Sequence, residues 1–462
     1  MALGGGTWIF QNKVLPGAYI NFKSKVRAST DIVDRGYCAM PIEMDWGPEN
    51  TVFAVEAGDF QTNSLKYFGY AYSEGKLKGI RDLFKNAKTV YFYRLSNGAV
   101  KAKGSLGAAK YGGVRGNDIT VVVAANVDEA DKFDVATYIT VDGVKTLVDE
   151  QTVTSKTELV DNDYVVWKRT ADVTSSESST SSDALVANAG DVFSGGTNGD
   201  AVTAQQHQDF LAAIEPYYFN TLGVVTTEQT IKDLYVAFTK RMRDDVGMKF
   251  QLVVYDEHKA DYEGVISTPN RVTDSGESPA SLVYWLTGAE ASCAVNASCT
   301  NKTYDGEFNI FTAYSQTELK KGINDGQLMF HRVTDPASGD VTGNINILTD
   351  INTFTNFSKQ KNKDFSKNQV IRVLDQIAID VSRLFNRQYL GKEQNDEDGR
   401  IAFWGDLVAY YKELQRVRAI QNFNPDDLPV PQQGEDKGTV LTEHAIQPTC
   451  CMEKLYMTVV VA

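Results

Sequence analysis

Long hydrophobic runs are missing from this chain of 462 residues: nowhere do 18 or more apolar residues follow one another. No membrane-spanning helix is therefore expected. Histidine is scarce too. The four are His207, His258, His331 and His444, and no two lie within five residues of each other. That spacing excludes a His-Glu-x-x-His helix and leaves a metal or catalytic role only through tertiary assembly. Gly-x-Ser-x-Gly is absent, so no nucleophile elbow is expected. Gly195-Gly196-Thr197-Asn198-Gly199 lacks the Gly-Lys-Ser/Thr ending of a phosphate loop, and reads as a turn toward a helix at Thr203. Cysteine is limited to Cys38, Cys293, Cys299, Cys450 and Cys451, an odd set with no zinc spacing. All five read as free thiols of a protein made in a reducing cytoplasm. The first residues lack a basic start, an unbroken apolar core and a cleavage site, so no signal peptide is expected. Without one, the Asn-x-Ser/Thr matches at Asn296, Asn301 and Asn356 are chance. A formal net charge of −14 argues against a nucleic-acid surface covering the whole protein. No cofactor and no metal site are expected.

What the chain does have is two adhesive ends. Leu455-Tyr456-Met457-Thr458-Val459-Val460-Val461 is β-branched, aromatic or apolar throughout and predicts a strand about 23 Å long. Proline-, glycine- and acid-rich loop sequence from Asn424 to Gly438 precedes it. An apolar strand on such a tether closes its own chain's sheet or is donated to a neighbour. At the other end, Met1–Gly6 is flexible by composition, and Thr7–Leu15 and Ala18–Phe22 flank a Pro16-Gly17 turn.

Between the ends, length suggests about three domains, and no solenoid repeat is present. Residues 26–95 read as mixed α/β, with Leu77, Ile80, Leu83 and Phe84 at helical spacing before a buried-type strand Val90–Leu95. Gly-rich Ser96–Gly116 reads as a boundary. Short strands follow at Ile119–Val123, Phe133–Val141, Val144–Val148 and Tyr164–Trp167, with a hairpin at Asp142-Gly143 and an exposed loop over Thr174–Ser182. That spacing predicts a small β-sandwich or barrel. From about Gly190 to Thr349, helices at Thr203–Glu215, Glu228–Asp245 and Ser281–Val295 alternate with strands at Lys249–Tyr255 and Gln327–Val333, which implies an α/β layer fold. Val341–Leu348 opens the C-terminal part. Two long helices follow, Ser366 to about Leu390 and Asp398 to about Ile420, whose apolar stripes must pack on each other or on a sheet. Asp396-Glu397-Asp398 lacks EF-hand spacing and suits a helix start.

Three segments, Pro16–Phe22, Leu185–Gly199 and Glu453–Val459, together resemble contractile tail sheath proteins of phages, prophage-derived particles and R-type bacteriocins, over nearly the whole chain in order and length. The resemblance implies an α/β multidomain fold: an α+β C-terminal core domain with extended N- and C-terminal arms, a subtilisin-like α/β domain, and an inserted β-sandwich near the outer surface. Expected boundaries are 1–25 for the N-terminal arm, 26–100 for an α/β segment joining the central domain and 101–188 for the sandwich. Then come 189–345 for the subtilisin-like domain, 346–438 for the inner domain and 439–462 for the C-terminal arm. Subtilase motifs are missing, so that likeness is one of fold and not of activity.

The resemblance further implies a structural subunit, not an enzyme. It would polymerise helically around a tail tube and contract to drive the tube through a cell envelope. Its partners would be other copies of itself, the tube protein, and baseplate and terminator proteins, with no nucleic acid and no membrane insertion. The expected place is a virion or bacteriocin tail, made in the bacterial cytoplasm and released by lysis. Arm strands would use Trp8, Phe10, Tyr19, Ile20 and Phe22 at one end and Leu455, Tyr456, Met457, Val459 and Val461 at the other. Lys412, Arg416 and Arg418 are candidate tube contacts, although basic residues also suit a helix C-terminus through its dipole. An α/β hydrolase and a non-contractile polymerising shell remain the alternatives.

Overall fold

The computed structural model describes residues 34–168, 183–333 and 343–461. In chain order its main elements begin with β1 (Tyr37–Ile42), β2 (Val52–Glu56), α1 (Ala57–Phe68), α2 (Lys78–Phe84) and β3 (Thr89–Arg94). There follow β4 (Gly107–Ala109), β5 (Ile119–Ala125), β6 (Phe133–Val141), β7 (Val144–Val153), β8 (Val165–Trp167) and β9 (Asn188–Val192). Next are α3 (Ala204–Ile214), β10 (Thr221–Val224), α4 (Gln229–Arg241), β11 (Gln251–Tyr255), β12 (Val265–Thr268), α5 (Leu282–Ser292) and α6 (Gln316–Asn324). The C-terminal part has β13 (Phe330–Val333), β14 (Asn344–Ile347), α7 (Asn368–Leu384) and α8 (Glu397–Arg416). Four two-residue strands close the order: β15 (Ile420–Gln421), β16 (Gln432–Gln433), β17 (Val440–Leu441) and β18 (Gln447–Pro448).

The described chain forms two compact units. One comprises Pro41–Lys78 and Tyr91–Pro216; the other comprises 34–40, Gly79–Val90 and 217–461.

The first unit carries the sandwich. An antiparallel sheet in the order β7-β6-β5-β9 and a β4-β8 pair bury one shared core. Ile119, Val121 and Val123 of β5 and Val135 and Ile139 of β6 point inward at every second residue, toward Ala109, Val165 and Trp167. The β6–β7 turn is as expected: Asp142 and Gly143 have φ of 48° and 76°, the left-handed pair of a type I′ hairpin. Two strands escape pattern reading. β9 is Asn-Ala-Gly-Asp-Val, poor in strand formers, and β4 is Gly-Ala-Ala. Expected strand Tyr164–Trp167 therefore pairs with β4 in a sheet of its own.

Both glycine-rich stretches have one job. Val100 and Thr197 exchange backbone hydrogen bonds at 2.9 and 3.1 Å, and Lys103 and Ser194 do so at 2.8 and 3.1 Å. The segments entering and leaving the sandwich thus form a paired neck. A Cβ on Gly199 would lie 2.2 Å from the Asn97 carbonyl, so the close approach needs glycine. The Gly195–Gly199 segment, read from sequence as a turn toward the Thr203 helix, bridges to Asn97 and Val100 on its way there. Thr174–Ser182 lies outside the described residues.

The second unit is built on parallel strands β1-β10-β11-β12, registered Cys38↔Thr221, Leu222↔Leu252 and Val253↔Ile266. Leu252, Val253 and Val254 are all buried, as expected for a strand covered on both faces. Helix α5 lies against β10: Thr221 Oγ1 donates to the Thr287 carbonyl at 2.9 Å. A Cβ at Gly223 would sit 2.4 Å from Thr287 Oγ1, so the glycine sets how closely helix and strand pack.

The two C-terminal helices pack on each other as expected. Val373, Ile377, Val381, Leu384 and Phe385 meet Phe403, Leu407, Val408, Tyr411 and Leu414 in one cluster. Helix α7 is shorter than the sequence suggested, because a π-type turn, Phe385–Tyr389, replaces its last turn. Asp396 caps α8 by accepting the Gly399 N–H at 2.9 Å, which explains the acidic run there.

Candidate assembly surface

The C-terminal segment leaves the second unit in three anchored steps. First, β18 pairs with β15, and the Thr449 N–H donates to the Ala419 carbonyl at 2.9 Å. Second, the Cys451 N–H donates to Gln369 Oε1 at 2.9 Å. Third, the Glu453 carboxylate pairs with the Lys367 ammonium and accepts from Thr300 Oγ1 at 3.1 Å and Thr349 Oγ1 at 3.3 Å. Beyond Glu453 the anchoring stops. Residues 454–461 belong to no strand. Leu455 is 83% exposed, Tyr456 89% and Val460 84%. Among the described residues the expected strand Leu455–Val461 has no pairing partner and closes no sheet. Such a segment carries unmatched backbone donors and acceptors beside apolar side chains.

The anchor sits on the first turns of α7. The apolar stripe of that helix includes Val370, Val373 and Leu374. In the structure Asn368, Gln369, Arg372 and Asp375 are also buried, and more fully than Leu374. The Arg372 side chain is wholly buried. It donates to Glu290 Oε2 at 2.6 Å, to Asp350 Oδ2 at 3.4 Å and to the Ala297 carbonyl at 2.8 Å. Asp375 forms a bidentate pair with Arg243 at 2.7 and 2.8 Å. Asp350 also accepts from Asn368 Nδ2 at 2.7 Å and the Cys299 N–H at 2.9 Å.

These surroundings split the two carboxyls. Burial, and then the Asp350 charge, push the Glu290 pKa well above the ordinary carboxyl range. Burial opposes ionisation of Asp350 as well, but Arg372 and the hydrogen bonds it accepts hold it below its ordinary value. A protonated Glu290 facing an ionised Asp350 satisfies Oε1, which otherwise has no donor. Among the described residues, Glu290, Cys299 and Asp350 form the one cluster of metal-ligand type. Arg372 already supplies its positive charge, and none of the four histidines lies in it.

The basic candidates are all exposed. Arg416 is held by Glu413 through two contacts of 2.7 and 2.6 Å. Arg418 follows the end of α8 with a left-handed φ of 65°, and its carbonyl accepts from Thr449. The N-terminal candidates Trp8, Phe10, Tyr19, Ile20 and Phe22 lie outside the described residues.

Four family descriptions cover the chain in order. They are the tail sheath Gp18 domain III N-terminal region over 35–95, the phage tail sheath beta-sandwich domain over 96–198, the central domain over 200–353 and the C-terminal domain over 360–462. The phage-like element PBSX protein XkdK of Bacillus subtilis strain 168 is 32% identical, over 99% of each chain. This chain belongs to the phage tail sheath family. The sheath family is a structural protein family. A crystal structure of a sheath tail protein from Desulfitobacterium hafniense superimposes with a TM-score of 0.73 at 36% identity, covering 90% of this chain and 93% of that one. The fold is also shared, at TM-score 0.53 and 11% identity over 97% and 99% of the chains, with the helical sheath of the anti-feeding prophage in its contracted state.

Glu290 and Asp350 give a testable contrast. Glu290→Gln keeps a neutral group that accepts from Arg372 and donates to Asp350, and should change unfolding free energy by less than ~1 kcal/mol. Asp350→Asn leaves Arg372 without its buried anion and should cost about 3–5 kcal/mol. Urea unfolding of the two variants near neutral pH measures both; equal losses would refute the assigned protonation.

Proposed function

We propose that this chain is the subunit of a contractile tail sheath: it polymerises helically around a tail tube and contracts to drive the tube through a target envelope. The carrying observation is the exposed apolar segment Leu455–Val461 on an anchored root. Donated to a neighbouring subunit, its backbone groups complete that neighbour's sheet, and Leu455, Met457, Val459 and Val461 can face one side with Tyr456 on the other. Trp8, Phe10, Tyr19, Ile20 and Phe22 would link at the N-terminal end. Shared strands hold subunits together while tethers let rigid bodies rotate, so the array can have two packings, with the extended one trapped during assembly. No nucleotide is needed if the energy is stored at assembly.

In the same reading Lys412, Arg416 and Arg418 face the tube. Lys412 and Arg418 offer the freer charge, because Glu413 already pairs Arg416. Baseplate and terminator proteins would close the ends of the array. The particle would be made in a bacterial cytoplasm and released by lysis. The subtilisin-like layering and the domain boundaries at 25, 100, 188, 345 and 438 belong to this reading too. The four parallel strands support the first, and the paired neck supports a limit near 100, while β9 carries the sandwich a few residues past 188.

Two experiments test it. A chain ending at Lys454 should keep its stability within about 0.5 kcal/mol, because the removed side chains are exposed. By negative-stain microscopy it should form no cylinders where the full chain does; cylinders from the truncated chain would sink strand donation. Changing Lys412, Arg416 and Arg418 together to Glu should leave the fold intact but abolish assembly on the tube protein. Normal tube-directed assembly by that variant would remove the tube contact.

A further inference from the structure

Residues 440–448 lead from the loop at Gly438 to the root of the arm, and they lie on the C-terminal helices. Val440 and Ile446 pack against the cluster that holds Leu407, Tyr411 and Leu414. His444 sits between those two contacts, half-buried, with both ring nitrogens engaged. Nδ1 meets the Tyr411 hydroxyl of α8 at 2.7 Å, and Nε2 meets the Thr442 hydroxyl at 2.5 Å. The imidazole also stands edge-on to the Tyr411 ring, with centroids 5.4 Å apart and planes at 90°.

The surroundings decide which nitrogen carries the proton. Tyr411 is buried, and its hydroxyl has no other hydrogen-bond partner among the described residues. Burial pushes its pKa up to about 12, so the phenol keeps its proton. A buried O–H without an acceptor is costly, so Tyr411 donates and Nδ1 accepts. The one proton of the neutral ring is then on Nε2, which donates to Thr442 Oγ1. Thr442 is exposed and turns its own hydroxyl proton to solvent. A second proton breaks this arrangement. It must go on Nδ1, which then faces Tyr411 donor to donor. Burial opposes the charge too and holds the His444 pKa below the ordinary histidine value. The titratable group facing the ring is Tyr411. Its neighbour Tyr410 turns instead to Asp380 at 3.0 Å, and Glu443 is exposed.

We propose that His444 is a proton-operated clasp: the neutral ring fastens the lead-in of the C-terminal arm to α8, and its protonation releases residues 440–446 from that helix. The contacts at Thr449, Cys451 and Glu453 involve no histidine and stay in place. The stretch between Gly438 and Thr449 then becomes a slack loop, and the arm is held by its root alone. The direction with pH follows from the two states. The folded chain resists the second proton, whereas the unfolded chain accepts it. The stability that His444 contributes is therefore present above the ordinary histidine pKa of about 6.5 and is lost as pH falls below it. The inference rests on local geometry and stands apart from the assembly reading.

With four histidines in the chain, the ring can be watched directly. The full-length protein, isotopically labelled at histidine, is titrated by NMR, and His444→Gln identifies the resonance. At neutral pH the His444 ring should show a protonated Nε2 and a bare Nδ1, and it should titrate below the ordinary histidine value. Tyr411→Phe removes the donor that protonation strands, so His444 should titrate higher in that variant than in the wild type. Cleavage after the exposed Glu443 by a glutamate-specific protease reads the release, each rate being divided by that of the denatured chain at the same pH. In the wild type it should rise severalfold as His444 takes up its proton. A protonated Nδ1 at neutral pH overturns the proposal. So does titration at or above the ordinary value, and so does cleavage that ignores the titration. If Tyr411→Phe does not fold, the wild-type tautomer, titration and cleavage remain decisive.

Discussion

An exposed apolar segment with no partner among the described residues is the constraint that organises this protein. The amides and carbonyls of residues 455–461 find no partner in the described chain, and the side chains beside them are exposed. Such a segment persists in a native protein only if something else covers it. Magnitudes show why one arm alone cannot hold an assembly. Burying an apolar side chain gains about 1.5–3 kcal/mol, while ordering each residue costs about 1–2 kcal/mol of backbone entropy. The two nearly cancel over a short strand. In the proposed assembly, net adhesion would therefore come from several arms per subunit and many subunits, which suits a polymer better than a dimer.

For pairing at the arm to matter, its root must be fixed to something stiff. Cys451 and Glu453 tie it to Gln369 and Lys367 at the start of α7. Farther along the same helix Arg372 pairs with the buried Asp350 carboxylate and donates to Glu290, and Asp375 pairs with Arg243. Buried pairs of this kind add little net stability, because desolvation offsets their attraction, but breaking one is costly and their geometry is specific. Here they bind α7 to α5 and to the turns around the parallel sheet. A pull on the arm would pass through a short chain of polar contacts into the rigid layer, not into a loop.

Much of this was legible in the sequence, for physical reasons that differ by element. Strands β5 and β6 alternate with period two, and Asp142-Gly143 admits only a left-handed turn, so the hairpin was readable. The stripes of α7 and α8 repeat at helical spacing, so burial of both was readable, and the structure decided that they pack on each other. The apolar terminal segment was visible as composition, though only the structure left it without a partner among the described residues. Strands β4 and β9 were not legible, because Gly-Ala-Ala and Asn-Ala-Gly-Asp-Val are held by their partners and not by propensity. Nor was the root of the arm: Lys367, Gln369 and Glu453 look like ordinary surface residues, and their contacts span more than eighty positions. Arg372 gave one weak signal, a charge set among Val370, Ile371 and Val373, and its meaning depended on Glu290 and Asp350 arriving from distant segments.

Backbone hydrogen exchange at residues 455–461, compared between the dispersed subunit and its assembled form, tests the central claim most directly. Strand donation predicts amides that exchange freely in the dispersed subunit and become strongly protected in the assembly, while Cys451 changes little. Free exchange in both states would contradict it, and so would protection already present in the dispersed subunit.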